Sequence, residues 1–233
     1  MMIKSKVLLV KKKARQKLSS LRTCLEQVDN SLNADRRRKK LNNTDFTIIS
    51  NNCWGAHVYR RYGLPYNSPT IGLYFFAEEY IKFLSDLKNN INGELRFISP
   101  AQSKYRDFLF SIGQQNVIIG VINDSIEVIF LHYKTQEEAL TKWRRRAARV
   151  NYDNLIVKFS EMNFCTEALV NEFIGLNFDR KILLSAHTRP GIDYCFCVKR
   201  YCKGDNVADD TTYYASFFNI TKYINGYRAT DFW

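Results

Sequence analysis

Phe46-Thr47-Ile48-Ile49-Ser50-Asn51-Asn52-Cys53-Trp54-Gly55 is the stretch of sequence that decides the fold. An apolar, β-branched run ends here in a small polar cluster with a cysteine at its centre, which is typical of a buried strand that runs into a turn. Residues 55–62 contain no helix breaker after the glycine and place their apolar residues at helical spacing. We therefore predict that Cys53 lies at a strand-to-helix junction.

The rest of the chain alternates between strand and helix patterns. Further strands are predicted at 71–76, 94–98, 117–122, 126–132, 155–159, 181–186 and 194–198, and helices at 77–90, 135–149 and 166–176. Residues 105–110 are rich in aromatic residues, and their pattern does not assign them to either class. This alternation predicts an α/β fold, a three-layer sandwich with a mostly parallel sheet and an antiparallel edge hairpin at 117–133. Asn123-Asp124-Ser125 is the predicted turn of that hairpin.

The positive charge is concentrated at the N-terminus. Of the net charge of +12, residues 1–41 supply +10 (13 Lys/Arg against 3 Asp/Glu), which leaves +2 for the rest. From Leu18 to Leu32 apolar residues recur every three or four positions, so a basic amphipathic helix is predicted to precede a single α/β domain at 42–233. Such a helix can lie on an anionic membrane surface, or pack on its own domain or on a second subunit as a homodimer. Nucleic acid is not an expected partner, because the basic segment lacks aromatic residues.

The cysteine pattern predicts the compartment. The six cysteines lie in apolar runs, and the sequence shows no cleavable signal pattern, which favours reduced thiols in the cytoplasm. No apolar run approaches the roughly 18 residues that a membrane-spanning helix needs. We therefore expect a cytoplasmic protein that associates peripherally with the inner face of the cell membrane.

Cys53 is the first candidate for chemistry. Ligands collect at the carboxyl ends of strands in open α/β sheets, and a helix N-terminus favours anions and lowers the pKa of a thiol. Its neighbours Ser50, Asn51, Asn52 and Gly55 offer donors that could hold an oxyanion or contact a substrate. The alternative is that Cys53 is a packing residue, since free cysteine is often buried.

Three histidines are candidates for the base that would activate this thiol. His132 ends an apolar strand and precedes a loop, which makes it the first choice. His57 lies one helical turn after Cys53 on the same face, where it could also contact the substrate. His187 ends another strand, so the identity of the base remains open.

A cationic helix provides a candidate cofactor site. Lys142, Arg145, Arg146 and Arg149 recur every three or four residues, and such a row suits the phosphates of coenzyme A or a nucleotide diphosphate. A solvated helix face is the alternative. The sequence lacks the P-loop, the dinucleotide-binding glycine motif, the nucleophile elbow and a plausible zinc spacing, so no metal is expected.

Several blocks of sequence resemble a known family. Ser50–Gly55, Tyr62–Thr70, His132-Tyr133-Lys134 with Trp143 and Arg146, and Asn151–Asn154 resemble an uncharacterised bacterial family often labelled as exopolysaccharide biosynthesis proteins. The resemblance covers roughly residues 45–190 and implies a role in capsule or surface-glycan assembly. Asn52-Cys53 and His132 also resemble the Asn-Cys turn and the recruited histidine of SGNH-like capsule acyltransferases. The sequence departs from those enzymes at Trp54, where a polar residue is usual, and it lacks their Asp-x-x-His ending.

These observations predict a transferase of surface-glycan assembly. The first hypothesis is an O-acyltransferase, with acetyl-CoA or another acyl-CoA as donor and a saccharide or lipid-linked glycan as acceptor. Cys53 would act as nucleophile or oxyanion donor, with His132 as base and Arg145, Arg146 and Arg149 binding the cofactor phosphates. A glycosyl- or phosphosugar transferase that uses a sugar nucleotide is the second hypothesis. The third is a membrane-docked scaffold without catalysis.

Overall fold

The computed structural model describes residues 21 and 23–226. The predictions for residues 1–20 therefore lie outside the described residues. The helices are α1 (23–38), α2 (Trp54–Arg61), α3 (Ala77–Ser85), α4 (Leu87–Asn92), α5 (Arg106–Ser111), α6 (Gln136–Ala147), α7 (Glu167–Gly175) and α8 (Ile220–Ile224). The strands are β1 (Thr47–Ser50), β2 (Leu73–Tyr74), β3 (Leu95–Ile98), β4 (Ile118–Ile122), β5 (Ile126–Phe130), β6 (Leu155–Ser160), β7 (Lys181–Ser185), β8 (Cys195–Cys197), β9 (Cys202–Lys203) and β10 (Asn206–Val207).

A four-stranded parallel sheet forms the centre of the molecule. Its order is β1-β6-β7-β8, and each neighbouring pair is parallel. Nearly all side chains of β1, β6 and β7 are buried on both faces, as expected for a parallel sheet that is covered by helices on each side. The predicted α/β class and the mostly parallel sheet are confirmed.

The predicted hairpin forms, but it belongs to a second sheet. Strands β4 and β5 pair with each other and lie at the centre of an antiparallel sheet with the order β2-β5-β4-β3. Asn123 and Asp124 both have positive φ, at 47° and 57°, which is the backbone of the tight turn that suits a right-twisted hairpin. Strands β2 and β3 occupy the two edges of this sheet, so the hairpin is not the edge of the parallel sheet. Strand pairing depends on long-range contacts that the pattern of a single hairpin does not contain.

One layer of helices separates the two sheets. Tyr80 and Phe83 of α3 lie in the same apolar core as Val157 of β6 and Val128 of β5. On its other face the parallel sheet packs against α2 and the C-terminal segment, where Phe218 stacks on Phe196 of β8 with their ring centroids 4.1 Å apart. Because both faces of the parallel sheet are covered, the carboxyl ends of its strands are the accessible place for a site.

Local signals set most helix boundaries. Thr135 and Thr166 cap α6 and α7 by accepting hydrogen bonds from the backbone N–H of Glu138 and Leu169. The helix predicted at 77–90 is interrupted at Asp86, whose φ of −139° separates α3 from α4. Within the described ranges, no helix combines the length and the apolar character needed to cross a membrane.

Candidate functional site

Cys53 lies where the sequence predicts it, between the end of β1 and the start of α2. Strand β1 ends at Ser50 and α2 begins at Trp54. The thiol is partly buried, and its Sγ donates a long hydrogen bond of 3.7 Å to the carbonyl oxygen of Leu73. A strand-to-helix junction therefore presents a thiol toward the loop that contains β2.

A cavity of about 270 Å³ opens beside this thiol, and we name it the cation cavity. Its lining residues come from α2, the loop before β2, the segment after β5, and α6; they are Cys53, Ala56, His57, Arg60, Tyr66, Ile71, Gly72, His132, Tyr133, Lys142 and Arg146. Three permanent cations and two imidazoles thus converge on one thiol. No carboxylate stands among these lining residues, so the cavity suits an anionic ligand.

Burial controls the protonation of the Cys53 thiol. Desolvation, with a further contribution from Asp210, raises the pKa of this thiol to about 11, and the positive charges of Arg60 and Lys158 offset only part of that effect. The sequence-based expectation that the helix N-terminus lowers this pKa is therefore wrong. At Cys53, the nearby hydrogen bond and positive charges stabilise the thiolate less than the loss of its hydration destabilises it. Cys53 is a protonated thiol at pH 7.

Two of the three candidate histidines line the cation cavity. Partial desolvation, followed by repulsion from Arg60 and His57, lowers the pKa of His132, so its imidazole is neutral at pH 7 and can accept a proton. The Nδ1 of His57 lies 3.0 Å from Oε1 of Glu26 and 3.0 Å from Nη2 of Arg60. His187 lies elsewhere, with an exposed side chain whose Nε2 is 3.4 Å from Oδ1 of Asp205.

Two of the four cationic residues predicted to bind a cofactor line the cation cavity. Lys142 and Arg146 of α6 line the cavity, whereas Arg145 and Arg149 are exposed and are not among its lining residues. Residues four apart lie above one another on a helix, so Lys142 and Arg146 share one side of α6, whereas Arg145 points to a different side and Arg149 lies beyond the end of the helix at Ala147. Of the four residues predicted to bind a cofactor, the structure therefore places Lys142 and Arg146 at the cavity.

Arg146 is the most strongly held cation of the site. It is 6% exposed, and its Nη1 donates to Oη of Tyr133 (2.7 Å) and to the carbonyl oxygen of Ile71 (3.2 Å). Its guanidinium lies 5.1 Å from the ring centroid of Tyr66, a cation–π distance. Within residues 21 and 23–226, its buried Nε has no hydrogen-bond partner. A buried guanidinium in a fixed orientation is typical of anion recognition.

The predicted oxyanion and substrate-binding residues Ser50, Asn51, Asn52 and Gly55 are buried and do not line the cation cavity, which corrects that prediction. Asn51 and Asn52 are buried and bond to a buried ion pair between Lys158 of β6 and Asp210 of the C-terminal segment. The Nζ of Lys158 lies 3.3 Å from Oδ1 of Asn51 and 3.0 Å from Oδ1 of Asn52, and Nδ2 of Asn52 donates to both Asp210 oxygens at 2.8 and 2.9 Å. Burial lowers the pKa of Lys158, and the nearby carboxylate of Asp210 opposes this effect.

This buried network fixes the start of α2. Oδ1 of Asn52 accepts a hydrogen bond from the backbone N–H of Trp54, and Oγ of Ser50 lies 3.2 Å from the same oxygen. Gly55 packs against β1, where a Cβ would lie 3.2 Å from Cγ2 of Ile48. The polar residues before Cys53 and the glycine after it therefore set the position of the thiol.

Sequence reasoning missed five charged or aromatic residues of the site and its support. They are Arg60, Tyr66, Tyr133, Lys158 and Asp210. Arg60 lies one turn after His57 on α2, so helical spacing is a signal that could have identified it. Nothing local to Asp210 points to Lys158, because the two are 52 positions apart in the sequence. In the described part of the chain, no group of three or more His, Cys, Asp or Glu side chains could hold a metal ion.

The model of a protein family described as a domain of unknown function (DUF1919) matches residues 25–232. The chain belongs to this family. The DUF1919 match includes Cys53, every residue of the cation cavity and the buried ion pair between Lys158 and Asp210. A protein of Haemophilus influenzae, described as an uncharacterized protein, is similar to this DUF1919 chain, with 27% identity over 172 residues that cover 74% of this chain and 77% of the relative. Neither comparison assigns an activity, so a role in exopolysaccharide assembly stays a prediction.

Proposed function

We propose that this chain is an acyltransferase of bacterial surface-glycan assembly that holds the thioester of an acyl-CoA donor in the cation cavity. The observation that carries the proposal is the convergence of Arg60, Lys142 and Arg146 on the half-buried thiol of Cys53. The negative charge that develops on the acyl oxygen during transfer requires nearby positive charge, which Arg60, Lys142 and Arg146 supply, and a rigid donor, which the fixed guanidinium of Arg146 provides.

The protonation states define the chemistry that the site supports. Because the thiol is protonated at pH 7, it needs a base at the moment of attack, and the neutral imidazole of His132 lines the same cavity. Cys53 Sγ would form a bond to the acyl carbonyl carbon while His132 takes the thiol proton. The bond between that carbon and the coenzyme sulfur then breaks, and the coenzyme leaves as a thiol with the proton from His132.

A second transfer would complete the cycle. A saccharide hydroxyl attacks the acyl carbon on Cys53, and His132 passes the hydroxyl proton to the departing cysteine sulfur. The products are an O-acylated saccharide and the original thiol, and no oxidant or reductant is needed.

Intact-protein mass spectrometry after mixing with acetyl-CoA tests the proposal without knowledge of the acceptor. We expect the wild-type chain to gain one acetyl group, the Cys53→Ala variant to gain none, and the Cys165→Ala variant to react as the wild type does. Cys165 is a suitable control because it is also a partly buried thiol and is not among the cavity residues. Equal acetylation of the Cys53→Ala variant, with circular dichroism showing an intact fold, would remove Cys53 from the mechanism.

Transfer from a sugar nucleotide is the second candidate. The raised pKa of Cys53 favours it, because transfer of a glycosyl or phosphosugar group to an acceptor needs the cations of the cavity and no thiolate. Thermal unfolding in the presence of acetyl-CoA, UDP-sugars or CDP-sugars separates the two candidates. Stabilisation by the sugar nucleotides alone would replace the acyl-CoA proposal.

The inner face of the cell membrane is the proposed place of action. On α1 and just before it, Leu21, Leu25, Val28 and Leu32 expose between 49% and 75% of their surface along one side, which supports contact with a lipid surface. A scaffold that docks in this way without catalysis is the remaining alternative. The acetylation experiment distinguishes it from the acyltransferase, and the thermal-unfolding experiment distinguishes it from the sugar-nucleotide transferase.

A further inference from the structure

A second cavity, of about 370 Å³, lies between α1 and α2, and we name it the α1–α2 cavity. Its volume falls in the range of roughly 300–1,000 Å³ that is typical of small-molecule sites. His57 and Arg60 line both this cavity and the cation cavity. The two cavities are therefore neighbours that share one wall.

The lining of the α1–α2 cavity is rich in groups that bind hydroxyls. Gln27, Asn30 and Ser31 of α1 provide carboxamide and hydroxyl groups, and Glu26 provides a carboxylate. Oδ1 of Asn30 accepts a hydrogen bond of 3.0 Å from Nη1 of Arg37, which fixes the orientation of the amide. The hydrogen bond with His57 lowers the pKa of Glu26, so its carboxylate is ionised at pH 7. Planar polar groups in fixed orientations can bond to the adjacent hydroxyls of a sugar ring.

We propose that the α1–α2 cavity binds the saccharide acceptor, next to a donor whose acyl group occupies the cation cavity. This inference rests on the proposed function and adds the location and the chemical class of the second substrate. The accessible wall of this cavity is more apolar than polar, which suits the carbon face of a sugar ring whose hydroxyls bond to the polar groups, and an acyl chain is the alternative that the test below separates. The shared wall of His57 and Arg60 would bring a sugar hydroxyl beside the donor.

Saturation-transfer NMR on the full chain tests the inference with defined probes. The probes are lactose, maltose and di-N-acetylchitobiose, with octanoate as an apolar comparison. Ser31→Trp places a bulky ring in the cavity, whereas Arg36→Trp adds the same ring to an exposed residue of the same helix that does not line the cavity. We expect at least one disaccharide to receive saturation from the wild type and from Arg36→Trp, and this signal to be lost in Ser31→Trp.

Other outcomes would overturn the inference or separate it from the proposed function. A disaccharide signal that persists in Ser31→Trp would place the sugar elsewhere, and no signal from any of the three would leave the cavity without a saccharide. Binding of octanoate alone, lost in Ser31→Trp, would identify an apolar ligand. Acetylation of Cys53 without disaccharide binding would reject this inference and keep the proposed function. Disaccharide binding that Ser31→Trp abolishes, without acetylation of Cys53, would support this inference and reject the proposed acyl transfer.

Discussion

At the scale of single residues, Cys53 illustrates how burial outweighs nearby positive charge. The thiol precedes a helix and lies within the influence of Arg60 and Lys158, which favour the thiolate. Desolvation and the carboxylate of Asp210 nevertheless raise its pKa to about 11. The sulfur is therefore protected from adventitious reaction until a base acts on it, as the neutral imidazole of His132 could do.

The pH dependence of alkylation follows from this pKa. At pH 8 only about one Cys53 side chain in 1,000 is a thiolate, and the reaction with iodoacetamide should accelerate about tenfold per pH unit up to about pH 11. Timed alkylation, followed by peptide mass spectrometry for residue 53, measures this rate in the folded protein. A plateau at or below pH 9 would show that the thiol behaves as an ordinary cysteine and would contradict the burial argument.

At the scale of secondary-structure elements, α1 has two different faces. One face is tied to the body of the protein by the Glu26–His57 pair and by Nη1 of Arg38, which donates to the carbonyl oxygens of Tyr62 and Gly63 at 3.2 Å. The other face exposes the apolar side chains at positions 21, 25, 28 and 32. A helix that is fixed on one side and apolar on the other is oriented for contact with a further surface.

Membrane binding through this exposed face is testable by substitution. We expect the double variant Leu25→Gln/Leu32→Gln to lose flotation with vesicles of anionic phosphatidylglycerol, because each fully buried leucine contributes about 1.5–3 kcal/mol. Ile112→Gln is the matched control, since Ile112 is 49% exposed on a different helix end and should be indifferent. If the wild type does not float, membrane binding through this face is wrong. If the double variant instead turns a dimer into a monomer in light scattering, the face binds a second copy.

At the scale of the whole molecule, the sequence predicted what depends on local pattern. The junction at Cys53, the turn at Asn123-Asp124-Ser125 and the start of the helix predicted from residue 135 each depend on neighbouring residues, and each forms as predicted. The placement of the 117–133 hairpin in its own sheet was missed because partner strands are chosen by tertiary packing. Asp210 was missed for the same reason, since its partner Lys158 lies far away in the sequence.

The pair between Lys158 and Asp210 joins the C-terminal segment to the parallel sheet. Both side chains are at most 1% exposed, so removal of one partner leaves the other as an uncompensated buried charge or polar group. We expect Asp210→Asn to lower the free energy of unfolding by about 3–5 kcal/mol, measured by urea denaturation. Asp124→Asn, which breaks an ion pair whose aspartate is 77% exposed, should cost at most about 1 kcal/mol.

A double variant keeps this prediction open to contradiction. Lys158→Met combined with Asp210→Leu removes both charges and should cost less than the sum of the two single changes, because the penalty of the unpaired partner disappears. Strict additivity, or a change of less than about 1 kcal/mol for Asp210→Asn, would show that the pair does not hold the C-terminal segment in place.

The same pair has a consequence for folding during translation. The ammonium group on β6 emerges from the ribosome 52 residues before the carboxylate that neutralises it. At a synthesis rate of about 5–20 residues per second, roughly 3–10 s pass between the synthesis of Lys158 and that of Asp210. Closure of the central sheet around Lys158 is therefore a late event, and a polypeptide released before Asp210 has been synthesised would lack the anion that makes the burial of this lysine favourable.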